Sequence, residues 1–259
     1  MKENNLLYHF FVDPMSHGMA CLILAYLLAP TQFVKVVYQE TKQPYLHIIK
    51  QYLAARNFKI FFSGARMYAL RQFIAAFAFG ISHWLYLFSI SCYAISNIVL
   101  LVVWQSFVVA VVETVITIYT EMKEIAANKG DLMKRKEAIS AIITPIFLRN
   151  FIAGSAPVLA CEVSKQLAVY AIVKQMGGIC TNTVVCILVS IVISTLSIPF
   201  DLIATQNCGS AVPMTWIGRL RHIIMVEKKC MVLFNGLGMR IMQIIPYSIA
   251  HSLIIFLLD

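Results

Sequence analysis

Charge is what this chain has least of. Asp, Glu, Lys and Arg make up only 13% of its 259 residues, 60% are hydrophobic, and the mean hydropathy is +0.78. A water-soluble domain carries about 25% charged residues, so that class is excluded. The period-two alternation of membrane barrel strands is also missing, which leaves helices as the way to satisfy backbone groups in lipid. Seven cysteines are present without a CxxC pair, most of them in apolar runs where Cys packs as a small hydrophobe, so neither a disulfide framework nor a metal site is expected. No cofactor signature and no recognisable Ser/His/Asp arrangement stands out, and an intramembrane enzyme is not expected. The stretch before Ser16 lacks both the form of a secretion signal and that of an Arg-rich transit peptide, so targeting is expected to be internal.

Long apolar runs are what the chain has instead. Six can be marked, at about 16–38, 67–90, 94–119, 151–174, 182–206 and 238–258, each able to cross roughly 30 Å of hydrocarbon as a helix. The net charge of +9 is concentrated between them. Most Lys and Arg fall in Lys35–Arg71, Lys123–Arg149 and Arg219–Arg240, which puts alternate loops on one basic side and both termini on the other. That asymmetry accounts for the basic balance, and nucleic acid is not an expected partner.

Two runs end in a proline followed by polar residues: Pro30-Thr31-Gln32-Phe33-Val34-Lys35, then Gln39, and Pro199-Phe200-Asp201-Leu202-Ile203-Ala204. Proline removes a helix bond and bends the chain, and a carboxylate at membrane depth is tolerated where it faces a polar interior. Short amphipathic stretches follow, around Tyr45–Leu53, up to Thr144, and around Trp216–Val226. Phe61-Phe62-Ser63-Gly64, Phe147-Leu148-Arg149-Asn150 and Leu233-Phe234-Asn235-Gly236 come next, and Gly64, Asn150 and Gly236 are equally spaced by 86 residues. The spacing predicts three units, at about 14–92, 93–178 and 179–259, each a long span, a surface helix, a turn and a second span.

On these residues the chain resembles the mitochondrial carrier family, whose repeat carries Pro-x-Asp/Glu-x-x-Lys/Arg and, later, aromatic-Lys/Arg-Gly. The third unit matches best, the first well, and the second, Val111-x-Glu113-x-x-Ile116, keeps only the acid. The resemblance implies an all-α membrane protein in which residues 1–259 form one carrier domain: six transmembrane helices in three pseudo-threefold repeats, each with a short matrix-side amphipathic helix. It implies no catalysis, a monomer, and residence in the mitochondrial inner membrane with both termini on the intermembrane-space side. The matrix gate would use the acid positions Gln32, Glu113 and Asp201 and the basic positions Lys35, Ile116 and Ala204. Of these only Lys35 with Asp201 can form an ion pair, braced by Gln39, so a weak closure is expected. Gly64, Asn150 and Gly236 would meet anionic lipid such as cardiolipin.

Seven residues past those three anchors lie Arg71, Pro157 and Gln243, the implied substrate level, with Val158 beside Pro157. An Arg there suits phosphate or carboxylate and carries some likeness to ADP/ATP and other nucleotide carriers. The expected function is exchange of a small anionic metabolite, foremost a nucleotide. A carboxylate or amino-acid carrier and a non-transporting membrane scaffold remain as alternatives. Glu162 with Lys165 is read as a self-satisfied pair on one helix face, His83 and His251 as packed or interfacial, and Trp84, Tyr86, Tyr93 and Trp216 as interface aromatics.

Overall fold

The computed structural model describes residues 13–77, 98–130, 139–156, 159–160, 163, 178–208, 210, 214–226, 228 and 230–258. Every regular element among them is a helix, as expected for a chain whose long runs must satisfy their own backbone groups. The elements are α1 (Asp13–Thr41), α2 (Tyr45–Ala54), α3 (65–77), α4 (Ile98–Lys129), α5 (Ile143–Gly154), α6 (Gly178–Asn207), α7 (Trp216–Arg221) and α8 (Leu237–Leu258). A 3₁₀ turn leads into each of α3, α5 and α8, at Phe58–Phe62, Ile139–Ala141 and Cys230–Phe234.

Among the described residues three helices are long and apolar enough to cross a membrane: Met15–Thr41, Val99–Lys129 and Thr183–Asn207. Much of the second and fourth apolar runs, with Glu162, Lys165, His83 and the aromatics at 84, 86 and 93, lies outside the described residues. The membrane reading rests also on which faces are covered. On α4, Val99, Val103, Phe107, Val111, Val115 and Tyr119 are exposed, while Gln105, Thr117, Glu121, Glu124 and Asn128 are buried. On α6, Val184, Leu188, Val192 and Leu196 face out, and Ser194, Ser197, Asp201 and Thr205 face in. A soluble helix shows the reverse pattern, so the outward faces suit hydrocarbon and the polar side is the interior.

Neighbouring helices touch in chain order. Ala25 of α1 packs with Tyr68 and Ala69 of α3, and Arg71 of α3 is paired to α4. Beyond them α4 meets α5, α5 meets α6, α6 meets α8, and α8 returns to α1. The amphipathic α2 docks on the inner end of α1, where Phe33 meets Tyr52 and Phe61 edge-on at 5.2 and 5.5 Å and Ile48 is fully buried. Farther along, α7 is capped by Thr215 Oγ1, which accepts from the Gly218 amide at 3.1 Å, and runs on as a π turn over His222–Val226. Trp216 packs on Phe200.

Pro30, Pro199 and Pro246 sit inside α1, α6 and α8. Each withdraws the backbone donor that would bond four residues back. The long middle helix α4 contains no proline. There Thr117 and Thr120 donate their hydroxyls to the Glu113 and Thr117 carbonyls, each at 2.7 Å, the side-chain back-bonding that loosens a helix without breaking it.

Candidate functional site

The inward faces of α1, α3, α4, α5, α6 and α8 meet in one buried polar network. Lys35 Nζ of α1 donates to Asp201 Oδ2 of α6 at 2.8 Å, so the pair anticipated between these residues is present. Asp201 Oδ1 also receives Arg149 Nη1 of α5 at 3.2 Å. Arg149 in turn holds both oxygens of Glu121 on α4, its Nη2 reaching Oε2 at 2.8 Å and its Nη1 facing Oε1. Arg71 of α3 joins Glu121 at 3.4 Å and Glu124 at 2.7 Å. Glu124 accepts from Gln32 Nε2, and Gln32 Oε1 accepts from Gln243 Nε2 of α8 at 3.1 Å.

This chain of contacts contains three cations and three carboxylates, all buried. A buried ion is sustained only when its charge and its hydrogen-bonding positions are matched. Here each charge has an opposite partner on another helix, so the network ties helices that are distant in sequence and is electrically neutral. A second tie lies farther along the same helices. Lys129, at the end of α4, reaches Glu40 of α1 at 2.9 Å and donates to the Cys208 carbonyl at the end of α6.

In the middle of the chain the residues read from the resemblance stay outside this network. Glu113 is only partly covered and makes no side-chain ion pair among the described residues, and Ile116 is 43% exposed on the outer face. The acids of α4 that do join the network are Glu121 and, three residues on, Glu124. Farther along, α5 starts at Ile143, so the residue before that helix is Ile142. Counted from there, the seventh residue is Arg149, which joins Arg71 and Gln243 in the network. Pro157 and Val158 lie outside the described residues.

Other assignments are also placed differently. Gln39 does not brace the Lys35 pair: its Nε2 donates to the Asn235 carbonyl at 3.1 Å and its Oε1 has no hydrogen-bond partner. Asn150 is 1% exposed and bonds Thr114 and Arg149 inside the bundle. Gly64 and Gly236 are buried and serve close approach. A Cβ on Gly64 would lie 2.5 Å from the Asn128 amide, and one on Gly236 would lie 2.9 Å from Lys35 Cγ in a backbone of φ +95°. Both glycines therefore let an inner helix end pass at contact distance.

Arg149, Glu121 and Glu124 complete a site in which sequence reasoning had named Gln32, Lys35, Asp201, Arg71 and Gln243. The available signal was Glu-x-x-Glu at 121–124, the one place in the middle unit where two acids share a helix face. Beside the network, a cavity of about 200 Å³ opens between α3, α5, α6 and α8, lined in part by Gln72, Ser194, Arg240, Gln243 and Tyr247. Among the described residues no cluster of His, Cys, Asp and Glu could hold a metal. No protein-family model matches the chain, and no curated protein matches it.

Proposed function

We propose that the chain is a transmembrane carrier exchanging a small anionic solute by alternating access, of the three-unit, six-span kind found in mitochondrial carriers. In this reading α1, α4 and α6 are the odd spans, and α3, α5 and α8 open the even ones. Three features support it: a 3₁₀ turn before each even helix, a polar residue seven positions past each helix entry (Arg71, Arg149, Gln243), and helix contacts that run in chain order and return to α1. The implied setting is the mitochondrial inner membrane, with both termini on the intermembrane-space side.

The observation that carries the proposal is the neutral network itself, bundled inside helices whose apolar faces point outward. Separable ion pairs across a bundle are suited to a gate: they hold one side shut, and they are released when a solute offers competing charge. Lys35, Asp201, Arg149 and Glu121 form the closure on the basic-loop side, with Lys129 as a further latch. Instead of the single weak pair expected, closure rests on several linked pairs. Arg71, occupied by Glu121 and Glu124 in this state, would reach solute only after those carboxylates let go.

The test is exchange by the purified chain in liposomes loaded with candidate anions, ADP and ATP among them. Saturable uptake that requires solute on the opposite side is expected, and it should fall in Arg71→Ala and Lys35→Ala. Uptake no greater than in protein-free liposomes for every anion would overturn the carrier reading.

A further inference from the structure

The cavity beside the network contains two groups left unmatched. Arg240 lines it and, unlike Lys35, Arg71, Arg149 and Lys129, makes no ion pair among the described residues. Gln243 lines the same cavity and is 1% exposed. Its orientation is dictated by the chain of donors behind it. The Glu124 carboxyl accepts from the Gln32 NH₂ group, and Arg71 lies 2.7 Å from its other oxygen. Gln32 Oε1 must then accept, and Gln243 presents its own NH₂ to it and to Thr31 Oγ1, both at 3.1 Å. Turning the Gln243 amide over would set two carbonyl oxygens against each other. Gln243 Oε1 is thus a fixed, buried acceptor with no partner, a state that favours any ligand bringing a donor.

The geometry points to this cavity as the binding site for a small monocarboxylate that carries a hydroxyl group beside its carboxylate, the carboxylate on Arg240 and the neighbouring donor on Gln243 Oε1. The inference rests on the carrier reading and narrows its solute. The network is neutral, so one guanidinium balances one negative charge, and a polyphosphate would leave charge uncompensated in a low-dielectric interior. Size agrees, since about 200 Å³ falls below the ~300–1,000 Å³ of pockets that enclose drug-sized ligands. The Ser194 hydroxyl, which also lines the cavity, offers the carboxylate a further donor.

The experiment follows thermal unfolding of the full-length protein in detergent against propionate, L-lactate, L-alanine, inorganic phosphate and ATP. Lactate should protect at concentrations about tenfold lower than propionate or alanine, because only lactate brings one net negative charge together with a donor for the buried acceptor. That comparison uses the unaltered protein, so it needs no variant to fold. Arg240→Gln should abolish protection by lactate, and Gln243→Leu should reduce it to the level of propionate. Equal protection by propionate or alanine, stronger protection by ATP or phosphate, protection by none of the five, or an unchanged response in Arg240→Gln would each overturn the inference. Liposome exchange separates the two claims. Selective binding with no exchange removes the carrier and leaves the site, whereas exchange that does not distinguish lactate from propionate removes the site and leaves the carrier.

Discussion

Arg149 and Asp201, 52 positions apart in sequence, meet at 3.2 Å in the interior, and through that contact Asp201 is shared between α1 and α5. The carboxylate answers Lys35 with one oxygen and Arg149 with the other. It is the joint where the ion pairs of α1 and of the middle helices become one network.

Removing that joint should be costly. Asp201→Ala leaves two buried cations short of a partner and is expected to lower stability by about 3–5 kcal/mol, the range for breaking a buried pair. Lys35→Ala strands less, because Asp201 keeps Arg149. Chemical denaturation in detergent, read as a double-mutant cycle on Lys35 and Asp201, would measure the coupling. Additive losses would show that the pair contributes nothing as a pair.

The two acids of α4 allow a direct comparison. Glu121→Gln should impair folding or exchange far more than Glu113→Gln, since Glu121 answers Arg149 and Arg71 together. Glu113 has no such partner among the described residues. Stability and liposome exchange of the two variants side by side decide the matter, and equal effects would put Glu113 on a par with Glu121.

The two glycines separate steric from conformational constraint. Gly64→Ala meets the Asn128 side chain first, at 2.5 Å, so adding Asn128→Ala should restore most of the lost stability. Gly236→Ala also forces a non-glycine residue to φ +95°, a strain of about 1–3 kcal/mol that no trimming of Lys35 or Gln39 would relieve. Thermal midpoints of the single and paired variants measure both effects.

Pro199 sits two residues before the shared carboxylate. Pro199→Ala restores a backbone bond to Thr195 and stiffens α6. Stability should hold or rise while exchange slows. Exchange at the original rate would mean that α6 does not bend there during transport.

Lys129 offers a test of the second tie. Lys129→Met keeps the volume and apolar stem but loses the Glu40 pair and the Cys208 carbonyl bond. If that tie latches the closed state, the variant should exchange faster at little cost in folding. A slower or unchanged rate would assign Lys129 to folding alone.

Much of this molecule was legible in its residues. Scarce charge and long apolar runs are sufficient for a helical membrane protein, because a backbone in hydrocarbon has few alternatives. Lys35 and Asp201 could be matched because each follows a proline that marks the same level on its helix. The carboxylates of α4 had no such marker. That helix is apolar along most of its length, so neither Glu113 nor Glu121 stood out by periodicity. Only packing decided it: where α5 begins and how far α4 is rotated toward it determine that Arg149 reaches Glu121 and Asp201, and that Ile116 faces outward. The amino-acid order determined which groups could not remain in lipid, since desolvation penalises them one by one. Which of them become partners depends on the depth and rotation of helices set by contacts across the whole bundle, information that no single helix carries.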